Sequence, residues 1–238
     1  MHGLWTRIAV RTTIAAALVF GLLYGIGQLL IHVLMHGWVG HTDDSIERQL
    51  LSGRTKFWNT VTDAGTQLAQ PLTVEVALVV LVIAIAVVTR KVAPALFLAV
   101  TVGVESGIYF VVSTIDKRPR PSIPRLGIGD PQASFPSGHV AASICLYGGL
   151  AVLAWVLTDR RVLQVTLTVL AVVIPPAVGL CRMYRGFHHL SDVIAGAILG
   201  VLWLTATTRL LLLPAVRAKA QRDHTDARDQ SSARRAAV

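Results

Sequence analysis

Residues 187–192 read FHHLSD, two histidines and an aspartate directly ahead of an apolar run that begins at Val193. Polar side chains are costly at a bilayer edge, so such a cluster points to a functional site. His188 and Asp192 stand four apart, and on a helix that starts near His188 they share a face. Asp192 then accepts a hydrogen bond from one ring nitrogen and leaves the other unprotonated and outward-facing. That base-plus-orienter pair is the arrangement that activates a nucleophile. The same spacing also fits a helix-capping aspartate beside a wet interfacial histidine. His189 diverges from His188 by about 100° on a helix, so its replacement by alanine is expected to be mild. Zinc-binding histidine pairs usually stand four apart, so the sequence points to no metal.

Two more segments carry polar chemistry. In SFPSGH (134–139), Pro136 suits a helix start, and Ser137 and Gly138 allow a close backbone approach. The first N–H groups of the following helix offer an anion site, with His139 beside it. In DKRPRP (116–121), Pro119 and Pro121 end a helix and stiffen the chain. Arg118 and Arg120 present forked donors suited to phosphate oxygens, and equally suit a basic run that meets lipid headgroups.

Apolar runs must position these residues. Hydrophobic residues make up 53% of the 238, charged residues 15%, and mean hydropathy is +0.61. A soluble domain carries about a quarter charged residues, so the chain reads as a membrane protein. Six runs are long enough to span a bilayer as helices: 12–35, 71–89, 92–115, 138–157, 162–180 and 190–213. The expected fold is all-α, a six-transmembrane-helix bundle with the active site at the extracytoplasmic ends of helices three to six. Residues 1–213 form the membrane domain, with its core motifs in 116–192. Residues 214–238 read as a basic, disordered cytoplasmic tail. The uncharged stretch after Arg11 runs to Thr42, too long for a cleaved signal peptide. Residues 41–69 read as a short amphipathic surface helix or as a polar loop.

The formal net charge is +9. With both termini cytoplasmic, Arg7, Arg11, Arg90, Lys91, Arg160, Arg161 and the tail obey the positive-inside rule. Arg48, Arg54, Lys56, Lys117, Arg118, Arg120, Arg125, Arg182 and Arg185 break it. An anionic ligand outside the membrane would account for them. The basic tail is too mixed for a nucleic-acid partner, and no GK[ST] phosphate loop occurs. Cys145 and Cys181 are too few for a disulfide framework. Glu105, about 15 Å from the end of its helix, is either functional or protonated between helices. Gly196 and Gly200, four apart, read as close helix packing.

Together the three segments resemble the three-part signature of the type 2 phosphatidic acid phosphatase superfamily, integral-membrane lipid phosphate phosphatases. Pro136-Ser137-Gly138-His139 matches the second motif completely. Arg182, His188 and Asp192 match the third, with Cys181 in place of its serine. Arg120-Pro121 matches the end of the first, whose lysine falls on Ser113 here. The resemblance covers about residues 70–210. It implies His188 as nucleophile through a phosphohistidine, Asp192 as its orienter and His139 as proton donor and acceptor. Phosphate binding would fall to Arg120, Arg182 and the Ser137 and Gly138 backbone, with Arg118 or Lys117 replacing the lysine; Arg125 and Arg185 match no motif position. No cofactor is implied. The implied partners are the bilayer and a lipid phosphate: phosphatidic acid, phosphatidylglycerophosphate or a polyprenyl diphosphate. A phosphotransferase and a non-catalytic anionic-lipid binder or transporter are the alternatives. Oligomeric state is not encoded legibly. The Ala-, Val- and Arg-rich usage suits a high-GC bacterium, hence a bacterial plasma membrane.

Overall fold

The computed structural model describes residues 2–214, and side chains from Thr6 onward. Of the expected tail, 214–238, all but Pro214 lies outside the described residues. Every described regular element is helical: α1 (His2–His32), α2 (Trp38–Ser52), α3 (Lys56–Gln67), α4 (Pro71–Thr89), α5 (Val92–Asp116), α6 (Gly138–Ser143), α7 (Gly149–Leu157), α8 (Arg161–Tyr184) and α9 (Leu190–Thr207). A π turn, Ile144–Gly148, joins α6 to α7, and another, Thr208–Leu212, extends α9.

Among the described residues six stretches are long and apolar enough to cross a membrane: Thr6–His36, Lys56–Thr89, Val92–Asp116, Gly138–Leu157, Arg161–Tyr184 and Leu190–Leu212. All six expected spans are present. The outer faces of α4 and α8 show Val76, Val80, Ile83, Val87, Val165, Val169 and Val173 at the surface. That pattern suits a lipid solvent, in which an exposed valine costs nothing. The interior is closed by Phe97, Leu98, Leu199 and Trp203, all fully buried.

Helix ends obey local chemistry. Pro71 opens α4 at a position where its missing N–H is no loss. Two turns, Arg90 (φ 52°) and Lys117 (φ 46°), end α4 and α5 in the left-handed region. Close packing of α9 on the 137–144 segment rests on two glycines. A Cβ on Gly196 would fall 2.4 Å from the Ser137 carbonyl oxygen, and one on Gly200 3.0 Å from that of Ala141.

Residues 38–67 are helical throughout most of their length, so the loop alternative is wrong and the surface-helix alternative incomplete. Asp43 and Glu47 of α2 are buried at 3% exposure each, turned inward onto the α9 start. Thr62 and Thr66 of α3 are likewise buried, against α8.

Candidate active site

The three sequence segments meet at one end of the bundle, where α5 ends, α6 begins, α8 ends and α9 begins. His188 lies in the connection between α8 and α9 and is 2% exposed. Its Nδ1 donates to the Ser134 carbonyl oxygen at 2.7 Å. A carbonyl only accepts, so this bond puts the ring proton on Nδ1 and leaves the Nε2 lone pair free. Burial, then the charges of Arg182 and Arg120 and the neighbouring His139, hold the imidazole well below the ordinary histidine range. The Ser134 bond pulls weakly the other way. His188 is therefore neutral near pH 7.

This geometry corrects the expected orienter. Helix α9 starts at Leu190, with His189 as its N-cap in extended conformation (φ −71°, ψ 161°). His188 therefore precedes the helix and does not share its face with Asp192. The Asp192 carboxylate stays 3.9 Å from His188 Nδ1. It instead accepts from Ser134 Oγ at 2.5 Å and from the His189 N–H at 2.9 Å, and pairs with Arg118. Asp192 thus fixes the residue whose carbonyl fixes His188.

Arg118 is 1% exposed, and its two terminal nitrogens bind Asp192, Ser191 and Asp43, the last at 3.1 Å. Its guanidinium is spent inside the scaffold, which removes it as a substitute for the missing lysine. Lys117 is exposed and lines a recess of about 270 Å³ with Ser113, Tyr109 and Asp130. The vacant lysine position and Lys117 open on the same recess.

Ser137 also changes role. The Ser137 N–H donates to the Asp192 carbonyl at 3.0 Å, so it is not free for an anion. The Ser137 hydroxyl is buried with no partner. Gly138 is required by packing: a Cβ there would sit 2.8 Å from the Tyr109 ring.

His139 stands in the first turn of α6, with its Nε2 buried and unpartnered. Arg182 is 7% exposed and lies over the Phe187 ring at 3.9 Å, with a long 3.4 Å bond to Thr66 Oγ1 and no partner for Nε. Arg120 approaches the same ring at 5.4 Å, held by the Asp130 and Phe187 carbonyls. A buried aromatic face thus aligns two guanidiniums beside one neutral imidazole, a desolvated cationic pocket.

Sequence reasoning missed several members. Ser134, adjacent to the second motif, supplies both the His188 acceptor and an Asp192 donor. Glu47 binds His189 Nδ1, and Asp43 accepts from the Ser191 N–H and hydroxyl. His189 is therefore a buried clamp; its ring is gripped by Glu47 and faces the Pro119 carbonyl at 3.2 Å. The expectation of a mild His189→Ala is corrected. The acidic letters of α2 were visible, but their inward turn depends on packing between distant segments.

A family model described as the PAP2 superfamily matches residues 94–213. The chain belongs to the PAP2 superfamily. It is similar to a probable lipid phosphate phosphatase 4 from Arabidopsis thaliana, at 41% identity over 76 residues, 29% of this chain and 24% of that protein. The chain therefore matches only about a quarter of that relative's length. Its fold resembles the crystal structure of the first transmembrane PAP2 type phosphatidylglycerolphosphate phosphatase from Bacillus subtilis, with a TM-score of 0.70 and 24% identity. That match covers 79% of this chain and 92% of the other. The PAP2 match contains every motif residue. Asp43, Glu47 and Thr66, which brace those residues, precede it.

Among the described residues no three His, Cys, Asp or Glu side chains gather as a metal-holding group. The arrangement suits an anion: two guanidiniums, one neutral imidazole with a free nitrogen, and a second histidine with an unpartnered one.

Proposed function

We propose that this PAP2 protein hydrolyses a phosphomonoester or diphosphate on a membrane lipid through a phosphohistidine at His188. The observation that carries the reading is the His188 tautomer. Its Nδ1 proton is anchored on Ser134, and its free Nε2 lies among Arg182, Arg120 and His139.

Nε2 attacks phosphorus as the P–O bond to the lipid breaks. Arg182 and Arg120 stabilise the charge on the non-bridging oxygens, the largest contribution expected in such a transfer. The bound dianion supplies the negative charge that favours a protonated His139. His139 then gives its proton to the departing oxygen, accepts one from water, and that water cleaves the N–P bond. Neutral Ser137 Oγ is free to bond the phosphoryl group, and Lys117 stands ready at the recess that Ser113 shares.

A cavity of about 470 Å³ leads from Gly138 and His139 between α4, α5 and α6. It is lined mostly by apolar side chains and fits the lipid part of a substrate whose phosphate sits at His188. We assign the site to the extracytoplasmic face of a bacterial plasma membrane, with both termini cytoplasmic, from the Arg and Lys distribution.

Release of inorganic phosphate from detergent-solubilised phosphatidic acid, phosphatidylglycerophosphate and polyprenyl diphosphate tests the reading. Turnover is expected with EDTA present, since Arg120 and Arg182 supply the positive charge. His188→Ala is expected to lose at least about 10³-fold in kcat, the scale of removing a nucleophile. Substantial residual turnover in that variant, or loss on EDTA restored by metal, overturns it. Transfer to an added alcohol without phosphate release would instead mark a phosphotransferase.

A further inference from the structure

Glu105 plays no part in the chemistry above, yet it lines the same cavity as His139. It is fully buried. One carboxyl oxygen has no partner, and the other has only a long 3.5 Å contact from Ser106 Oγ. None of the ion pairs among the described residues includes it. An isolated buried carboxylate is very costly without a cation. Glu105 is thus held as a neutral acid, whose O–H is a donor and needs an acceptor.

Its height is fixed by two helices. Tyr109 lies one turn above Glu105 on α5, about 6 Å along the axis, and its ring packs on Gly138 beside His139. Glu105 therefore sits one to two turns below the candidate phosphate position, inside the lipid cavity. The ester carbonyls of a diacylglycerol phosphate lie a few bonds below phosphorus, roughly 6–8 Å at ordinary bond lengths. A polyprenyl chain has no acceptor at that depth. The other cavity carboxylate, Glu75, is exposed near the start of α4 and does not share this environment.

We infer that Glu105 is a substrate-selecting residue that donates a hydrogen bond to an ester carbonyl of a diacylglycerol phosphate. The site then favours glycerolipid phosphates over polyprenyl phosphates. This rests on the lipid phosphatase reading.

The test is a cycle on both partners: wild type, Glu105→Leu and Glu105→Gln against diacyl phosphatidic acid, its dialkyl ether analogue and a polyprenyl phosphate. The ether analogue keeps the phosphate, glycerol and chains, and lacks only the carbonyls. Wild type is expected to show a KM about three- to tenfold lower for diacyl than for dialkyl substrate, the worth of one net hydrogen bond. Glu105→Leu should erase that preference and leave dialkyl and polyprenyl turnover within about twofold, while Glu105→Gln, which keeps a donor, should retain it. A monodisperse size-exclusion peak and an unchanged helical circular-dichroism spectrum report whether each variant has folded. Equal loss on all three substrates, an unchanged diacyl preference in Glu105→Leu, or a wild type that prefers the polyprenyl substrate overturns the inference alone. A wild type releasing phosphate from none of the three sinks the phosphatase reading and the inference with it.

Discussion

Asp192 reaches His188 through a third residue. Its carboxylate holds the Ser134 hydroxyl, and the Ser134 carbonyl holds His188 Nδ1. The next layer is His189, clamped by Glu47. Burial alone would lower the His189 pKa, but the Glu47 hydrogen bond and the Asp192 charge outweigh it, so the imidazole lies above the ordinary range. A folded pKa above the unfolded value of about 6.5 means stability that is complete below pH 6.5 and lost as pH rises through the folded value. His188, shifted downward, acts oppositely and weakens the fold only below about 6.5. Glu47→Gln is therefore expected to lower stability by about 1–3 kcal/mol at pH 6, the range for breaking a buried charged hydrogen bond. The deficit should shrink toward pH 9. Thermal unfolding in detergent across that range checks it, and a pH-independent deficit would assign Glu47 to packing only.

At the scale of elements, the site depends on how closely α9 meets the 137–144 segment. That contact is made at backbone distance by Gly196 and Gly200, and it brings the Ser137 N–H onto the Asp192 carbonyl. Gly196→Ala drives a methyl into a backbone carbonyl that cannot swing away. The expected cost is about 1–3 kcal/mol, with a fall in kcat because the PSGH segment is displaced from His188. Gly107→Ala on α5 meets nothing within 4 Å and should be neutral or stabilise by about 0.5–1 kcal/mol through helix propensity. Matched unfolding and activity assays separate the two; equal behaviour would show that α9 tolerates separation. The spans were legible because bilayer thickness imposes about 20 apolar residues per helix, and the 196/200 spacing announced its packing. The start of α9 was not. Whether a helix begins at His188 or Leu190 is a two-residue matter that caps and tertiary bonds decide, and it determines whether Asp192 touches His188.

Across the whole molecule, nine cations on the site side made one sequence-level anomaly, and the fold divides them. Arg54 bonds the Tyr184 and Pro124 carbonyls, Arg185 pairs with Asp63 at 2.8 Å, and Arg118 is buried between Asp43 and Asp192. These three tie loops together. Arg120 and Arg182 face the imidazole. Sequence order shows that cations gather but not which are already neutralised, because Asp43, Asp63 and Asp192 lie 74 or more residues from the arginines they meet. The motif arginines were recoverable by resemblance; the spent Arg118 was not. Sidedness follows from the same sorting. With three cations satisfied internally, the site end carries fewer free charges than its count suggests, while Arg90, Lys91, Arg160 and Arg161 crowd the other end in two tight turns. Under the proposed topology the positive-inside rule puts the site outside, and labelling tests that assignment. In a Cys145→Ala/Cys181→Ala background, Ile128→Cys, at the fully exposed tip of the site loop, should react with a membrane-impermeant maleimide in intact cells. Asp159→Cys, in the turn before α8, should react only after permeabilisation. The reverse pattern would put the His188 site in the cytoplasm and remove the extracytoplasmic assignment.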